Sequence, residues 1–303
     1  MADLGMIVVG SIGLDSVETR QEKRVDILGG SVSYACAAAS FFTKTGMVGV
    51  VGTDFPAHAM DQYEKFGIDL DGLATAEGKT FRWGGVYAED MINRTTRFTE
   101  LNVFADFHPQ LPASYCDVPF VMLGNISPEL QLEVLAQTRS PRFVVADTMD
   151  LWINIADEAL ADVISKVDML LLNDAEARLL TGEHHVLQCA RWILDRGPRY
   201  VVIKKGEHGA MLITKDEIAI IPAYPLDAVV DPTGAGDCFA GGFLGYLASR
   251  GSVDDRTVRQ ALLYGSVIAS FGVEAFSLEA FVSLTPAEIE DRATSLRNMI
   301  RFV

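Results

Sequence analysis

Four apolar runs, Phe120–Leu123, Phe143–Ala146, Met169–Leu172 and Tyr200–Lys204, constrain the fold more than any other feature of this chain. Between them lie segments near 128–138, 154–166 and 174–196 whose apolar residues recur at helical spacing. A strand that is apolar on both faces has to be covered on both faces. A helix between two such strands returns the chain so that they run parallel. The pattern predicts an α/β fold with a mostly parallel central sheet. Met6–Gly10 and Met47–Asp54 read as further strands of this kind, each ending in a turn, and a helix is expected over about 57–66, followed by Phe66–Leu70, which closes that unit. At 303 residues the chain is long enough for a single large domain spanning 1–303.

Residues 231–243, Asp-Pro-Thr-Gly-Ala-Gly-Asp-Cys-Phe-Ala-Gly-Gly-Phe, carry the chemistry. Asp231 and Pro232 open a turn, and Thr233, Gly234, Ala235 and Gly236 are all small. Cys238, Phe239, Ala240, Phe243, Leu244 and Leu247 then recur at helical spacing, so the loop runs straight into a buried helix. Small residues at a helix N-terminus aim unpaired N–H groups and the positive end of the dipole at one point, which is an anion site. Asp237 either caps the helix or, beside a phosphate, accepts the proton of an attacking hydroxyl.

The whole stretch resembles the C-terminal signature of the ribokinase-like, or PfkB, carbohydrate kinases. The resemblance implies a ribokinase-like three-layer fold with a small β lid over the sugar site. It implies that Gly234, Ala235 and Gly236 form the anion hole, that Thr233 adjoins the nucleotide, and that Asp237 is the catalytic base. The expected activity is ATP-dependent transfer of the γ-phosphate to a primary hydroxyl of a sugar or sugar-containing small molecule. An adenosine-type nucleoside kinase is the alternative, and a nucleotide-binding sensor without catalysis is a remote one.

The acceptor side follows in the same way. Asp15 falls just past the first strand, at the edge of an α/β sheet where ligands bind. By itself it reads as a turn residue, whereas the resemblance makes it a grip on sugar hydroxyls. Gly29 and Gly30, ahead of a small-residue helix from Val32 to Phe42, look like the family's substrate-side Gly-Gly motif. Many members carry Asn four residues after the second glycine, where this chain has Tyr34. Tyr34, with Phe81 and Trp83, supplies rings able to stack on a base. Residues 16–27 read as an exposed hairpin, and 79–104 show period-2 alternation. Together 14–26 and 79–104 are expected to form the lid, which in the family often serves as a homodimer surface.

On the nucleotide side, Asn173 and Glu176 match the family's Asn-x-x-Glu motif, tied to magnesium and phosphate, although the same residues simply start a helix well. Lys205, Gly206 and Gly209 lie in a turn that the resemblance sets against the ATP phosphates. Asp147, at a strand end, faces the same cleft on positional grounds. An apolar helix over 256–276 is expected beside the adenine, near a monovalent cation such as K+ in some members.

Composition excludes several classes. A formal charge of −16 argues against nucleic-acid and anionic-membrane surfaces. No apolar run approaches the ~20 residues that span a bilayer. The N-terminus, with Asp3, shows no signal-peptide pattern, and the four cysteines share no metal spacing, so a cytoplasmic protein is expected. Gly78-Lys79-Thr80 imitates a P-loop ending but lacks its first glycine, Leu73 standing in that place. Gly10 and Gly13 lack dinucleotide-fingerprint spacing, and His184-His185 has no partner at metal spacing.

Overall fold

Successive residues of β1 (Met6–Val9) feed two different cores. Met6 and Val8 pack on one side of the sheet, Ile7 and Val9 on the other, and all four are fully buried. That double burial is what the apolar runs predicted, because a strand between two helical layers has no face left for water. The computed structural model describes residues 4–301, so Asp3 lies outside the described residues.

The chain leaves β1 into the hairpin β2 (Gly13–Glu18) and β3 (Lys23–Gly29), then α1 (Ser31–Ser40), β4 (Thr45–Gly52), α2 (Ala57–Lys65) and β5 (Asp69–Ala76). A second excursion, β6 (Phe81–Tyr87) and β7 (Arg94–Glu100), ends in a 3-10 turn over Asn102–Asp106. The alternating half follows: β8 (Phe120–Leu123), α3 (Pro128–Gln137), β9 (Phe143–Asp147), α4 (Asp150–Ile155), α5 (Asp157–Lys166), β10 (Met169–Asn173), α6 (Asp174–Thr181), α7 (Val186–Leu194) and β11 (Tyr200–Lys204). The edge hairpin β12 (Ala210–Ile213) and β13 (Ile218–Ile221) precedes α8 (Ala235–Arg250), α9 (Asp255–Gly272), α10 (Glu279–Val282) and α11 (Pro286–Met299).

The main sheet has nine strands in the order β13-β12-β11-β10-β9-β8-β1-β4-β5, with neighbours pairing parallel except at β11–β12 and β12–β13, so that only β12 runs against the rest. Strand β1 sits between β8 and β4, so the chain winds outward from it in both directions and the crevice at its carboxyl end is the ligand position of such sheets. The lid is a separate four-stranded sheet, β3-β2-β6-β7, in which β2 and β6 run parallel.

The structure refines several sequence readings. Residues 102–106 coil into a 3-10 turn, with Phe104 packed on Phe81 and Phe107, so the period-2 run stops at Glu100. The segment after Phe66 continues into β5, an edge strand too polar and glycine-broken to announce itself. The helical segment 174–196 is two helices, divided at Gly182 in the left-handed conformation.

Helices α1 and α8 lie unusually close. A Cβ on Gly241 would stand 2.1 Å from the Ala35 carbonyl oxygen, and one on Gly245 2.9 Å from Ala39 Cα. This contact clamps the start of α8 to the carboxyl end of β1. Gly241→Ala forces backbone apart rather than a flexible side chain, so we expect a loss of roughly 3 kcal/mol. It would be read as a lower urea midpoint at unchanged m-value; an unshifted midpoint would show the contact to be slack.

Candidate active site

The loop 231–234 delivers α8 with its N-terminus pointing into the crevice. Gly234 caps the helix at φ 74°, and a Cβ there would meet the Tyr34 ring at 2.4 Å, so both backbone angle and space demand glycine. Asp231 anchors the loop, its Oδ1 accepting the Thr233 N–H at 2.9 Å. Among the described residues the N–H groups of Gly234 and Gly236 have no protein acceptor. Ala235 was expected among the donors, but its N–H goes to the Pro232 carbonyl at 3.2 Å. Its own turn uses it up.

Asp237 sits in the first helical turn. Burial, then the neighbouring Asp147 charge, pushes its carboxyl up to about 7, against the pull of Lys204 and Arg94. Lys204, at the end of β11, donates to Asp147 Oδ2 at 3.0 Å and Oδ1 at 3.2 Å. Its Nζ lies 3.0 Å from where a Gly236 Cβ would stand. Burial alone would lower its pKa, but Asp147, Glu176 and Asp237 outweigh that and hold it above the usual lysine value. Lys204 was not singled out in the sequence because it ends an apolar strand, and nothing there says which of two adjacent lysines turns inward. Lys205 lies just past the end of β11 and opens the turn carrying Gly206 and Gly209.

Asn173 and Glu176 form a reciprocal cap on α6. Asn173 Oδ1 accepts the Glu176 N–H at 2.8 Å, and Glu176 Oε2 accepts the Asn173 N–H at 2.7 Å. The helix-start reading is thus realised, yet burial also lifts the Glu176 carboxyl to about 7, and it shares Lys204 with Asp147. Gln131 Nε2 ties the strand ends together, donating to the carbonyls of Gly124 and Asp147, each at 3.0 Å.

Asp15 lies across the crevice in β2, 4% exposed. A Cβ on Gly29 would stand 2.0 Å from its Oδ2, so glycine makes room for the carboxylate. Gly30, φ 90°, starts α1 hard against the Ser11 carbonyl. Burial, then Asp231 and Asp237, raises the Asp15 carboxyl to about 7. Tyr34, expected as an open stacking ring, is covered: it is 2% exposed, its ring faces Gly234, and its hydroxyl is buried without a partner. Phe81 packs on Phe104 and Gly13 at the root of the lid. Trp83 packs against the small cluster of Val17, Tyr87 and Phe276. It pairs in register with Asp15, so both point from the same lid face, and it lies flat over Gly85. Thr80 holds Asp54 instead of a phosphate, in keeping with a false P-loop.

Residues 1–282 match the sequence profile of the family described as pfkB family carbohydrate kinase. The chain belongs to that family. A cytidine kinase of Thermococcus kodakarensis is 32% identical to it over 267 residues, covering 86% of this chain and 94% of that protein. Among solved structures, the nucleoside kinase of Methanocaldococcus jannaschii superposes with a TM-score of 0.77 at 21% identity, covering 97% and 100% of the two chains. Ribokinase from Giardia lamblia gives 0.79 at 20%, covering 96% and 98%. This pfkB kinase therefore has the ribokinase-like fold, and among its described residues no helix is long and apolar enough to cross a membrane.

Three carboxyls of this pfkB kinase, Asp15, Glu176 and Asp237, have folded pKa values near 7, above their unfolded values. Such groups stabilise the fold while protonated, and that contribution is lost as pH rises through the folded value. The melting temperature of the ligand-free protein should fall from about pH 4 to about pH 7. Asp15→Asn, which cannot ionise, should melt higher than the parent at the upper end of that window. Equal losses in parent and variant would refute the raised Asp15 carboxyl.

Proposed function

We propose that this pfkB kinase transfers the γ-phosphoryl group of ATP to the primary hydroxyl of a nucleoside. The observation that carries the transfer is that Asp237 follows directly on the free amides of Gly234 and Gly236 in the first turn of α8, with the Lys204 ammonium beside Gly236. A carboxyl titrating near 7 is matched to taking a hydroxyl proton at neutral pH. The amides and Lys204 meet the negative charge of the transferring phosphoryl. Asp15, buried and acceptor-only when ionised, orients the sugar hydroxyls.

Trp83 favours a nucleoside over a free sugar. Its ring lies on the inner lid face in register with Asp15, where a base attached to the gripped sugar would stack. The cytidine kinase relative, matched over most of both chains, supports the same choice. A free pentose remains the second reading, since Asp15 grips hydroxyls whether or not a base is attached.

Magnesium fits the residues present. It takes one or two carboxylates with phosphate oxygens and waters. Glu176 Oε1 accepts no hydrogen bond among the described residues, and Asp147 stands beside it. Bound there with the nucleotide, Mg2+ would supply charge neutralisation at the phosphate oxygens. The Asp231 Oδ2, buried and unpartnered, suits a monovalent cation such as K+. Four free cysteines agree with a reducing cytoplasm, and Val25, Ile92 and Phe98 on the exposed lid would serve a homodimer.

Asp237→Asn keeps the shape of the loop and should still bind ATP, while kcat falls by roughly 10²–10⁴-fold. A kcat within about threefold of the parent would leave Asp237 as a helix cap only. Glu176→Gln should move the magnesium titration of the rate to higher concentration; an unmoved titration leaves the reciprocal cap as its sole role. For substrate class, a stacked base is worth about 1–3 kcal/mol. Trp83→Ala should therefore raise KM for cytidine by about tenfold and leave that for D-ribose nearly unchanged. Parallel changes for both would remove the nucleoside preference.

A further inference from the structure

Two hydroxyls deep in the protein have no part in the transfer step. Tyr63 of α2 and Ser33 of α1 are fully buried, and Tyr63 belongs to the apolar core that also holds α1 and α8. A polar group in such a place costs free energy unless it is hydrogen-bonded. The two side chains lie 2.7 Å apart, and Ser33 Oγ also donates to the Gly29 carbonyl at 2.7 Å. A serine hydroxyl has a single proton. Since that proton goes to Gly29, Tyr63 is the donor to Ser33. The two bonds therefore run one way, from α2 through α1 to the last residue of β3, and each polarises the next. Phe55 stacks on the Tyr63 ring with centroids 6.2 Å apart, which fixes the starting point.

The far end of this relay lies under Asp15. A Cβ on Gly29 would stand 2.0 Å from Asp15 Oδ2, 2.3 Å from its Cγ and 2.9 Å from Oδ1, so the whole carboxylate rests on the bare Gly29 backbone. Gly29 and Gly30 have no side chains to hold their own turn, and Gly30 gives α1 no side-chain cap. The turn is held from outside. Ser11 and Ser31 exchange backbone-to-hydroxyl bonds at 3.1 and 3.2 Å on one side of it, and Ser277 Oγ donates to the Leu28 carbonyl at 2.5 Å on the other. At the Gly29 carbonyl the holder is Ser33, and Ser33 is held by Tyr63.

We propose that Tyr63 and Ser33 are positioning residues for the phosphate acceptor, a buried hydroxyl relay that fixes the Gly29 backbone on which the Asp15 carboxylate rests. The assignment depends on Asp15 being the grip on acceptor hydroxyls. Phenylalanine and alanine would fill the same core space without burying a hydroxyl, so the pair supplies direction rather than packing. Direction matters to Asp15 because hydrogen bonds to hydroxyls weaken steeply as they leave the favoured angle. The nucleotide side is tied together by other bonds, those of Asn173 with Glu176 and of Lys204 with Asp147. A slackened relay should therefore be felt by one substrate and not by the other.

The test measures kcat, KM for the acceptor and KM for Mg-ATP in the parent, Tyr63→Phe, Ser33→Ala, the double variant and Asp15→Asn, with cytidine and D-ribose as acceptors. Tyr63→Phe should raise acceptor KM about three- to tenfold, the worth of one buried hydrogen bond. The rise should be the same for both acceptors, because the sugar hydroxyls are common to them, while KM for Mg-ATP stays within about twofold. The double variant should lose no more than Ser33→Ala alone, since Tyr63 acts only through Ser33. A purely structural pair would lower the melting temperature and the active fraction, so apparent kcat would fall with both KM values unchanged. That result would overturn the proposal, as would equal rises in the two KM values or additive losses in the double variant. Tyr63→Phe keeps the ring packed on Phe55 and decides by itself if Ser33→Ala does not fold. A raised acceptor KM in Asp15→Asn beside an unchanged one in Tyr63→Phe would overturn the relay alone. An unchanged acceptor KM in Asp15→Asn would defeat the Asp15 grip, and the relay with it.

Discussion

Carboxylate crowding around a single buried lysine is the constraint on which the rest of this structure depends. Asp15, Asp147, Glu176, Asp231 and Asp237 converge on the carboxyl end of the sheet, and at its floor only Lys204 opposes them. Burial in a low-dielectric space disfavours the charged form, and neighbouring carboxylates add to this at Asp15, Glu176 and Asp237, so the carboxyl pKa values of Asp15, Glu176, Asp231 and Asp237 climb. That is unfavourable for an empty protein near neutrality. Under the proposed function it becomes favourable when cations accompany a triphosphate into the crevice. The fold thus tolerates an electrostatic tension that its substrates relieve, a familiar compromise between stability and activity.

Holding that tension requires a rigid frame. The α1–α8 contact through Gly241 and Gly245 fixes the depth at which Gly234 enters the crevice, and Tyr34 fills the space beneath it. Gln131 draws together the ends of β8 and β9, which sets where the Asp147 carboxylate points. Two cores, one on each face of the sheet, keep these strand ends from shifting relative to one another. The donors of the anion loop are therefore positioned before any ligand arrives, as electrostatic stabilisation requires.

How much of this is legible in the sequence depends on whether a feature is local. The parallel sheet is written in apolar runs that need no partner to be recognised, and the loop 231–237 in consecutive small residues. Asp15 is readable as a carboxylate past a strand, once β1 is placed. Lys204 is not readable, because its role arises from which way a side chain points across a distant register. Tyr34 shows the opposite error. As an aromatic in a substrate motif it invites stacking, but the absence of a side chain on Gly234, two hundred residues away, is what captures the ring. β5 and the 3-10 turn after β7 were hidden because edge and connecting segments are shaped by neighbours more than by their own periodicity.

The hydrogen bond from Thr233 to Tyr87 joins the loop ahead of α8 to the lid sheet. A tilt of the lid alters the donors of the anion loop, and a shift of the loop reorients the lid. Two ligands that meet at such a hinge cannot bind independently. Thermodynamic linkage makes the effect reciprocal: whatever factor the acceptor imposes on nucleotide affinity, the nucleotide imposes on acceptor affinity. One hydroxyl-to-hydroxyl contact therefore gives the lid and the loop a direct route by which occupancy of one side bears on affinity at the other.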